Sequence, residues 1–207
     1  MNLVPINGIA NITTDNNRFE RYVVIGAGKT GLDALLYLLD NGVDPDKIVW
    51  IVSNDCWYIN RVKFLDLNSL HLTFPEFYET VLASEDVNDV YKRAEEIQYF
   101  MRVDKKIWPK RMRAATVSPK EMAKIQTIKN IVRYGRISRI ERCEIAFERG
   151  DSLPTSIETL HVDCSTAGTK FSPLKEKVFS GYKINLMMTL VTQQCTSAAV
   201  IAALEAK

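Results

Sequence analysis

The spacing of apolar positions changes several times along the chain. Tyr22 to Ile25 is a short unbroken run of β-branched and aromatic residues, the pattern of a strand buried on both faces. A glycine-rich turn follows. Leu32, Leu35, Leu36 and Leu39 then fall at helical spacing, and Gly42 reads as the C-terminal cap of that helix. After Pro45, the run K-I-V-W-I-V from Lys47 to Val52 predicts a second buried strand. Residues 64–127 read as mainly helical. Pro75 to Leu82 is a first helix. Ser84 is placed as an N-cap, with Glu85 and Asp86 in the first turn of a second. Val87, Val90, Tyr91, Ala94, Ile97 and Met101 give that helix one apolar face, opposite Asp89, Lys92, Arg93 and Glu96. Ser118-Pro119-Lys120-Glu121 spells a capping box with proline at the first helical position, opening a helix to about Gln126.

From Asn130 the period shortens. I-V-R-Y-G and R-I-S-R-I are short runs, and Cys143, Ile145 and Phe147 alternate with Glu144, Ala146 and Glu148. This predicts two or three antiparallel strands. The turn-rich stretch G-D-S-L-P-T-S leads into a strand, T-L-H-V-D-C, that ends in small residues. Its His161 reads as a satisfied structural histidine and its Cys164 as a buried, inert thiol. K-I-N-L-M-M-T-L-V is a strand candidate, and Thr196 or Ser197 caps a final apolar helix from about Ala198. Met1 to Glu20 carries no periodicity and reads as a linker-like segment.

The densest chemistry lies between the first two strands. Gly26, Ala27, Gly28, Lys29, Thr30 and Gly31 give G-x-G-x-x-G directly after a strand and directly before a helix. The first glycine permits the tight turn, the second lets backbone approach a pyrophosphate, and the third lets helix and strand pack closely. The phosphates then rest on the helix N-terminus. Strand before, helix after and a second strand at the right distance make this the dinucleotide-binding pattern rather than a bare glycine turn. Gly28-Lys29-Thr30 also resembles the end of a P-loop, but the glycine that loop needs five positions earlier is Val23. The expected fold is therefore α/β: a Rossmann-like parallel sheet over residues 21–207, with a helical insertion at about 64–127 and a small antiparallel β segment.

The end of the second strand selects the ribose in such a site: an acidic residue for the 2′-hydroxyl of NAD, a basic one for the 2′-phosphate of NADP. Here it carries Ser53 and Asn54, followed by Asp55, with Arg61 further on. Ser53 and Asn54 can donate to a phosphate, Asp55 can instead accept from the ribose, and Arg61 either pairs with the phosphate or makes an ion pair elsewhere. The balance favours NADP over NAD. Trp57 and Tyr58 either stack on the nucleotide or pack. The basic run K-K-I-W-P-K-R-M-R from Lys105 to Arg113 either contacts a dinucleotide phosphate or is a solvated connection.

Composition narrows the partners. A net charge of +2 on 207 residues gives no case for nucleic acid or an anionic membrane. No apolar run approaches the ~20 residues of a membrane span, and the N-terminus lacks a signal-peptide pattern, so a cytoplasmic protein is expected. The four cysteines are widely spaced, and only two histidines accompany them, so no metal site is expected.

Four segments together resemble one family. These are V-V-I-G-A-G-K-T-G-L-D-A at 23–34, W-I-V-S-N-D-C-W-Y-I-N-R at 50–61, V-D-C-S-T-A-G at 162–168 and T-S-A-A-V-I-A-A-L-E-A at 196–206. In this order they resemble the C-terminal, NAD(P)-binding half of the NAD(P)/FAD-dependent oxidoreductases related to flavin monooxygenases. The resemblance implies that Gly26, Gly28 and Gly31 cradle the NAD(P) pyrophosphate, and that the cofactor reduces a flavin. It further implies that V-D-C-S-T-A-G turns back towards an FAD domain and that the terminal helix approaches the flavin. The sequence departs from the family in lacking a first glycine turn and in carrying Ser53 and Asn54 where relatives carry arginine. FAD is then expected only through a missing half or a partner protein, as for a truncated chain or split subunit. The alternative is a non-catalytic interaction module that keeps the fold and forms a homodimer. A free-standing short dehydrogenase would need Tyr-x-x-x-Lys, which the chain lacks; no catalytic acid, base or nucleophile is assigned.

Overall fold

The computed structural model describes residues 2–10, 19–65, 70–166, 179–184, 199 and 202–203. In chain order the elements are β1 (Asn2–Pro5), α1 (Ile6–Ile9), β2 (Arg21–Ile25), α2 (Lys29–Asp40), β3 (Ile48–Ile51), β4 (Cys56–Asn60), α3 (Arg61–Leu65), α4 (Leu70–Leu82), α5 (Val87–Glu96), β5 (Phe100–Met101), β6 (Arg111–Val117), α6 (Pro119–Ile125), β7 (Ile131–Val132), β8 (Ile137–Ile140), β9 (Glu144–Phe147), β10 (Ser152–Pro154) and β11 (Thr159–Asp163). They belong to a compact unit, Met1–Thr166. A second unit, Ala167–Lys207, contains the short antiparallel pair β12 (Phe179–Ser180) and β13 (Lys183–Ile184). The end of the V-D-C-S-T-A-G turn from Ala167, the strand beyond Ile184, the caps Thr196 and Ser197, and Cys195 lie outside the described residues.

The fold is mixed α/β. A five-stranded parallel sheet runs β1-β11-β2-β3-β7. Its central strands obey the two-residue alternation of a pleated strand. Tyr22, Val24, Ile48 and Trp50 face one way, into a core shared with Leu32, Leu35 and Leu38 of α2 and Met122 and Ile125 of α6. Val23, Ile25, Val49 and Ile51 face the other way, onto Ile145 and Phe147. Those two residues come from the antiparallel meander β8-β9-β10, the small antiparallel segment expected from the sequence. Burial on both faces explains why β2 and β3 read as unbroken apolar runs.

Several expectations change. Asn2–Pro5, read as part of a linker, is an edge strand in parallel register with β11. Backbone pairing there does not require apolar alternation, and its side chains are only half-buried or exposed. The insertion is not simply helical: β4, β5 and β6 form a second, three-stranded sheet. Met101 lies in β5 rather than on the helix, and the basic run ends inside β6. That strand is hidden from pattern reading by its exposed start, Arg111 to Arg113. The helix expected from Ser84 begins at Val87, because Asp86 is the N-cap and accepts from the Asp89 N–H at 2.8 Å. I-V of I-V-R-Y-G is a parallel edge strand beside β3, and Ser152–Pro154 is a strand rather than a loop.

Candidate functional site

The strand order places a reversal at one point. From β2 the chain steps through α2 to β3 and later to β7. It then returns to the opposite side of β2 as β11. Ligands of open α/β sheets bind in the crevice at the carboxyl ends of strands where the order reverses, here β2 and β11. The glycine turn lies at that point: the Cys164 N–H donates to the Ile25 carbonyl at 2.9 Å, and the Gly26 N–H to the Ile51 carbonyl at 3.0 Å.

The three glycines differ in what requires them. Gly26 has φ +118°, and an added Cβ would lie 2.8 Å from the Cys164 carbonyl oxygen. A Cβ on Gly31 would lie 2.3 Å from the Gly26 carbonyl oxygen. Both are demanded by packing. Gly28 is extended, at φ −85° and ψ −176°, and an added Cβ would meet no atom within 4 Å. Among the described residues nothing requires glycine at position 28, and none borders the space beside it.

Gly28 is also the N-cap of α2. It supplies no capping side chain, and the first turn of α2 holds no acidic residue. Among the described residues, no capping side chain and no first-turn acid answers the leading N–H groups and the positive end of the dipole. Lys29 pairs with Asp33 one turn on, and Thr30 is exposed. The turn carbonyls point inward: the Trp50 indole N–H donates to the Gly26 oxygen at 2.8 Å, and the Tyr58 hydroxyl to the Ala27 oxygen at 3.0 Å. Both side chains are buried. Burial, reinforced by the Cys56 thiol and the Asp55 carboxylate, holds the Tyr58 phenol far above its usual range, so it stays a donor. In a trans peptide the N–H points opposite to its carbonyl, so the Ala27 and Gly28 N–H groups point away from Trp50 and Tyr58. Sequence reasoning left the supporting roles of Trp50 and Tyr58 unfound, because no local spacing marks a contact 24 or 31 residues away.

Ser53 and Asn54 follow β3 at the carboxyl edge of the sheet, Ser53 exposed and Asn54 half-buried. Arg61 is placed differently. The five residues of β4, at about 3.3 Å each, carry it away from that edge, and its guanidinium pairs with Glu121 at the start of α6. Asp55 accepts from Arg133 Nε at 3.1 and 3.2 Å. Arg133, just beyond β7, is a charge at this edge of the sheet that sequence reasoning did not single out. Trp57 and Tyr58 pack rather than face the crevice; Trp57 stacks on Tyr91 with ring centroids 5.0 Å apart.

The remaining chemistry is quiet. His161 is fully buried; its Nδ1 donates to the Asn2 carbonyl at 3.1 Å, so its Nε2 accepts from the Thr155 hydroxyl at 2.8 Å. Burial lowers its pKa against the opposing pull of the Asn2 carbonyl, keeping the ring neutral. Burial pushes the Cys164 thiol up to about 12. Among the described residues no group of three or more histidine, cysteine or acidic side chains could hold a metal ion, and no helix is long and apolar enough to cross a membrane.

No protein-family profile matches the chain. It is 37% identical over 190 residues to Uncharacterized protein Rv2000 of Mycobacterium tuberculosis, and equally to Uncharacterized protein Mb2023 of Mycobacterium bovis. The similarity covers 90% of this chain and 35% of each relative, so the chain spans about a third of the length of the curated relatives it matches.

Proposed function

We propose that the chain is the NAD(P)-binding part of a flavin-dependent oxidoreductase, with a Rossmann-like domain as its frame. Gly28 is the observation that carries this reading. Among the described residues it is the one glycine of the turn that packing does not need, and it stands at a helix start with no side-chain cap. A pyrophosphate lying against bare backbone accounts for both features. The order β7-β3-β2-β11, all parallel, supports it as the 3-2-1-4 order of a dinucleotide-binding half.

The residues divide the work. Gly26 and Gly31 shape the turn, and Gly28 clears the approach. The N–H groups at the start of α2 donate to the phosphates, while Trp50 and Tyr58 keep the turn carbonyls away from them. Ser53 and Asn54 stand at the ribose. When bound, the reduced nicotinamide supplies a hydride, and the accepting FAD belongs to another part or partner.

Thermal unfolding in parallel titrations with NADPH, NADH and FAD tests the reading. At 100 times its dissociation constant a bound dinucleotide stabilises by about 2.7 kcal/mol. A shift with NADPH or NADH is expected, and none with FAD. A flat response to both nicotinamide cofactors overturns the reading. It would leave the second, a non-catalytic interaction module or homodimer. One observation favours that module: Leu72, Tyr78 and Leu82 of α4 and Val87 of α5 are 62–85% exposed.

A further inference from the structure

We propose that the insertion between β3 and β7 carries a self-complementary face through which two copies of this chain associate about a two-fold axis. The acidic, apolar corner of α4 and α5 in one copy seats on the basic run at residues 105–113 of the other. The inference goes beyond the dinucleotide reading and does not rest on it, because neither the glycine turn nor Ser53 and Asn54 belongs to this face.

Charge is sorted along this insertion. Residues 64–91 hold six carboxylates and no lysine or arginine, whereas residues 105–113 hold five cations and no carboxylate. The fold brings the two segments side by side. The Trp108 indole N–H donates to Asn88 Oδ1, in the first turn of α5, at 3.2 Å. Arg102, just before the basic run, pairs with Glu95 of α5 and lies over the rings of both Trp57 and Trp108, 5.3 Å from each centroid. Trp57 in turn stacks on Tyr91 of α5. The basic run is thus locked to the flank of α5, and the negative and positive segments border each other.

Both segments also expose apolar surface. On α4, Phe77 points inward and stacks on Tyr99 with ring centroids 4.1 Å apart. Tyr78, Val81 and Leu82 of the same helix are exposed, as is Val87 at the start of α5. On the basic side Trp108 and Met112 are exposed. Contiguous exposed apolar side chains mark an interaction surface, and aromatic residues, methionine and arginine are the types that interface cores favour. Glu79 and Glu85 on one segment and Arg111 and Arg113 on the other are exposed, and none of the four belongs to an ion pair among the described residues. These charges choose the occupant. A purely acidic partner is repelled by the α4–α5 corner, and a purely basic one by the run. A second copy, turned by half a rotation about an axis between the two segments, presents the opposite sign to each, and every contact is made twice. The net charge of +2 adds little repulsion between copies.

The test is sedimentation equilibrium of the full chain and of two charge-reversed variants, one with Glu79→Lys and Glu85→Lys, the other with Arg111→Glu and Arg113→Glu. The wild type is expected to be a dimer that weakens as salt is raised. Each variant alone is expected to self-associate about a hundredfold more weakly or worse, since like charges then face each other twice. Mixing the two variants in equal amounts is expected to restore the dimer, because both contacts again join opposite charges. That rescue also reports that both variants are folded. A wild-type monomer, a wild-type dimer indifferent to salt, variants that stay dimeric alone, or a mixture that stays monomeric overturns the proposal. None of these outcomes touches the dinucleotide reading, which the cofactor titrations decide.

Discussion

The starts of α2 and α6 are opposite solutions to the same problem. Every helix begins with N–H groups that lack intrahelical partners and with a positive dipole end. At α6 the protein answers both internally. The Glu121 N–H donates to the Ser118 hydroxyl oxygen at 3.3 Å, the Glu121 carboxylate accepts from the Ser118 N–H at 2.7 Å, and Arg61 pairs with that carboxylate. At α2 the cap is glycine, with no side-chain acceptor and no acid in the first turn. A serine or aspartate cap there would have stabilised the helix; the chain forgoes it. The contrast teaches where to look for a ligand: a helix start closed by its own side chains is structural, and the one left uncapped among the described residues, beside an inward-turned backbone, is where the proposed reading seats an anion.

The largest test of this contrast attacks the seat of α2. Gly31→Ala puts a methyl 2.3 Å from a backbone oxygen that cannot yield, so the fold is expected to lose about 3 kcal/mol or more in urea unfolding. A variant as stable as the wild type would mean that the turn relaxes freely. Ser118→Ala removes the cap of α6 and is expected to cost about 1 kcal/mol while leaving dinucleotide affinity unchanged.

The smallest effect is a pH dependence. Burial raises the Glu121 carboxyl, but the Ser118 N–H and hydroxyl and the Arg61 guanidinium outweigh it and hold the pKa below its ordinary 4.5. The unfolded chain therefore binds the proton first, and this stabilisation is present above about pH 4.5 and lost as pH falls through the folded value. His161, depressed from 6.5 by burial, adds a loss of the same sign that begins below about pH 6.5. Unfolding scans of Glu121→Gln and His161→Gln are each expected to flatten the corresponding part of the profile.

The sequence showed the local parts of this account and concealed the distant ones. β2, α2 and β3 were legible because burial on both faces of a strand and on one face of a helix leaves direct patterns. The capping box of α6 was legible because its partners are three residues apart. β1 was not, since its place is set by pairing with β11, more than 150 residues later. β6 was obscured by exposed arginines that read as a charged connection. Within the candidate site, the glycines announced themselves, whereas Trp50 and Tyr58 act through contacts that only the folded sheet creates. Arg61 was a plausible phosphate ligand by sequence distance, and the direction of β4 sends it to Glu121 instead.

The most direct measurement closes the open helix start. Gly28→Asp fits the extended N-cap geometry and the empty space, and supplies the acceptor that α2 lacks. Thermal unfolding of wild type and variant, each with and without NADPH, gives stability and binding together. The account predicts that the variant alone melts at or slightly above the wild-type temperature, and that NADPH raises the melting point of the wild type only. A variant that keeps the NADPH shift, or a wild type that shows none, would contradict it.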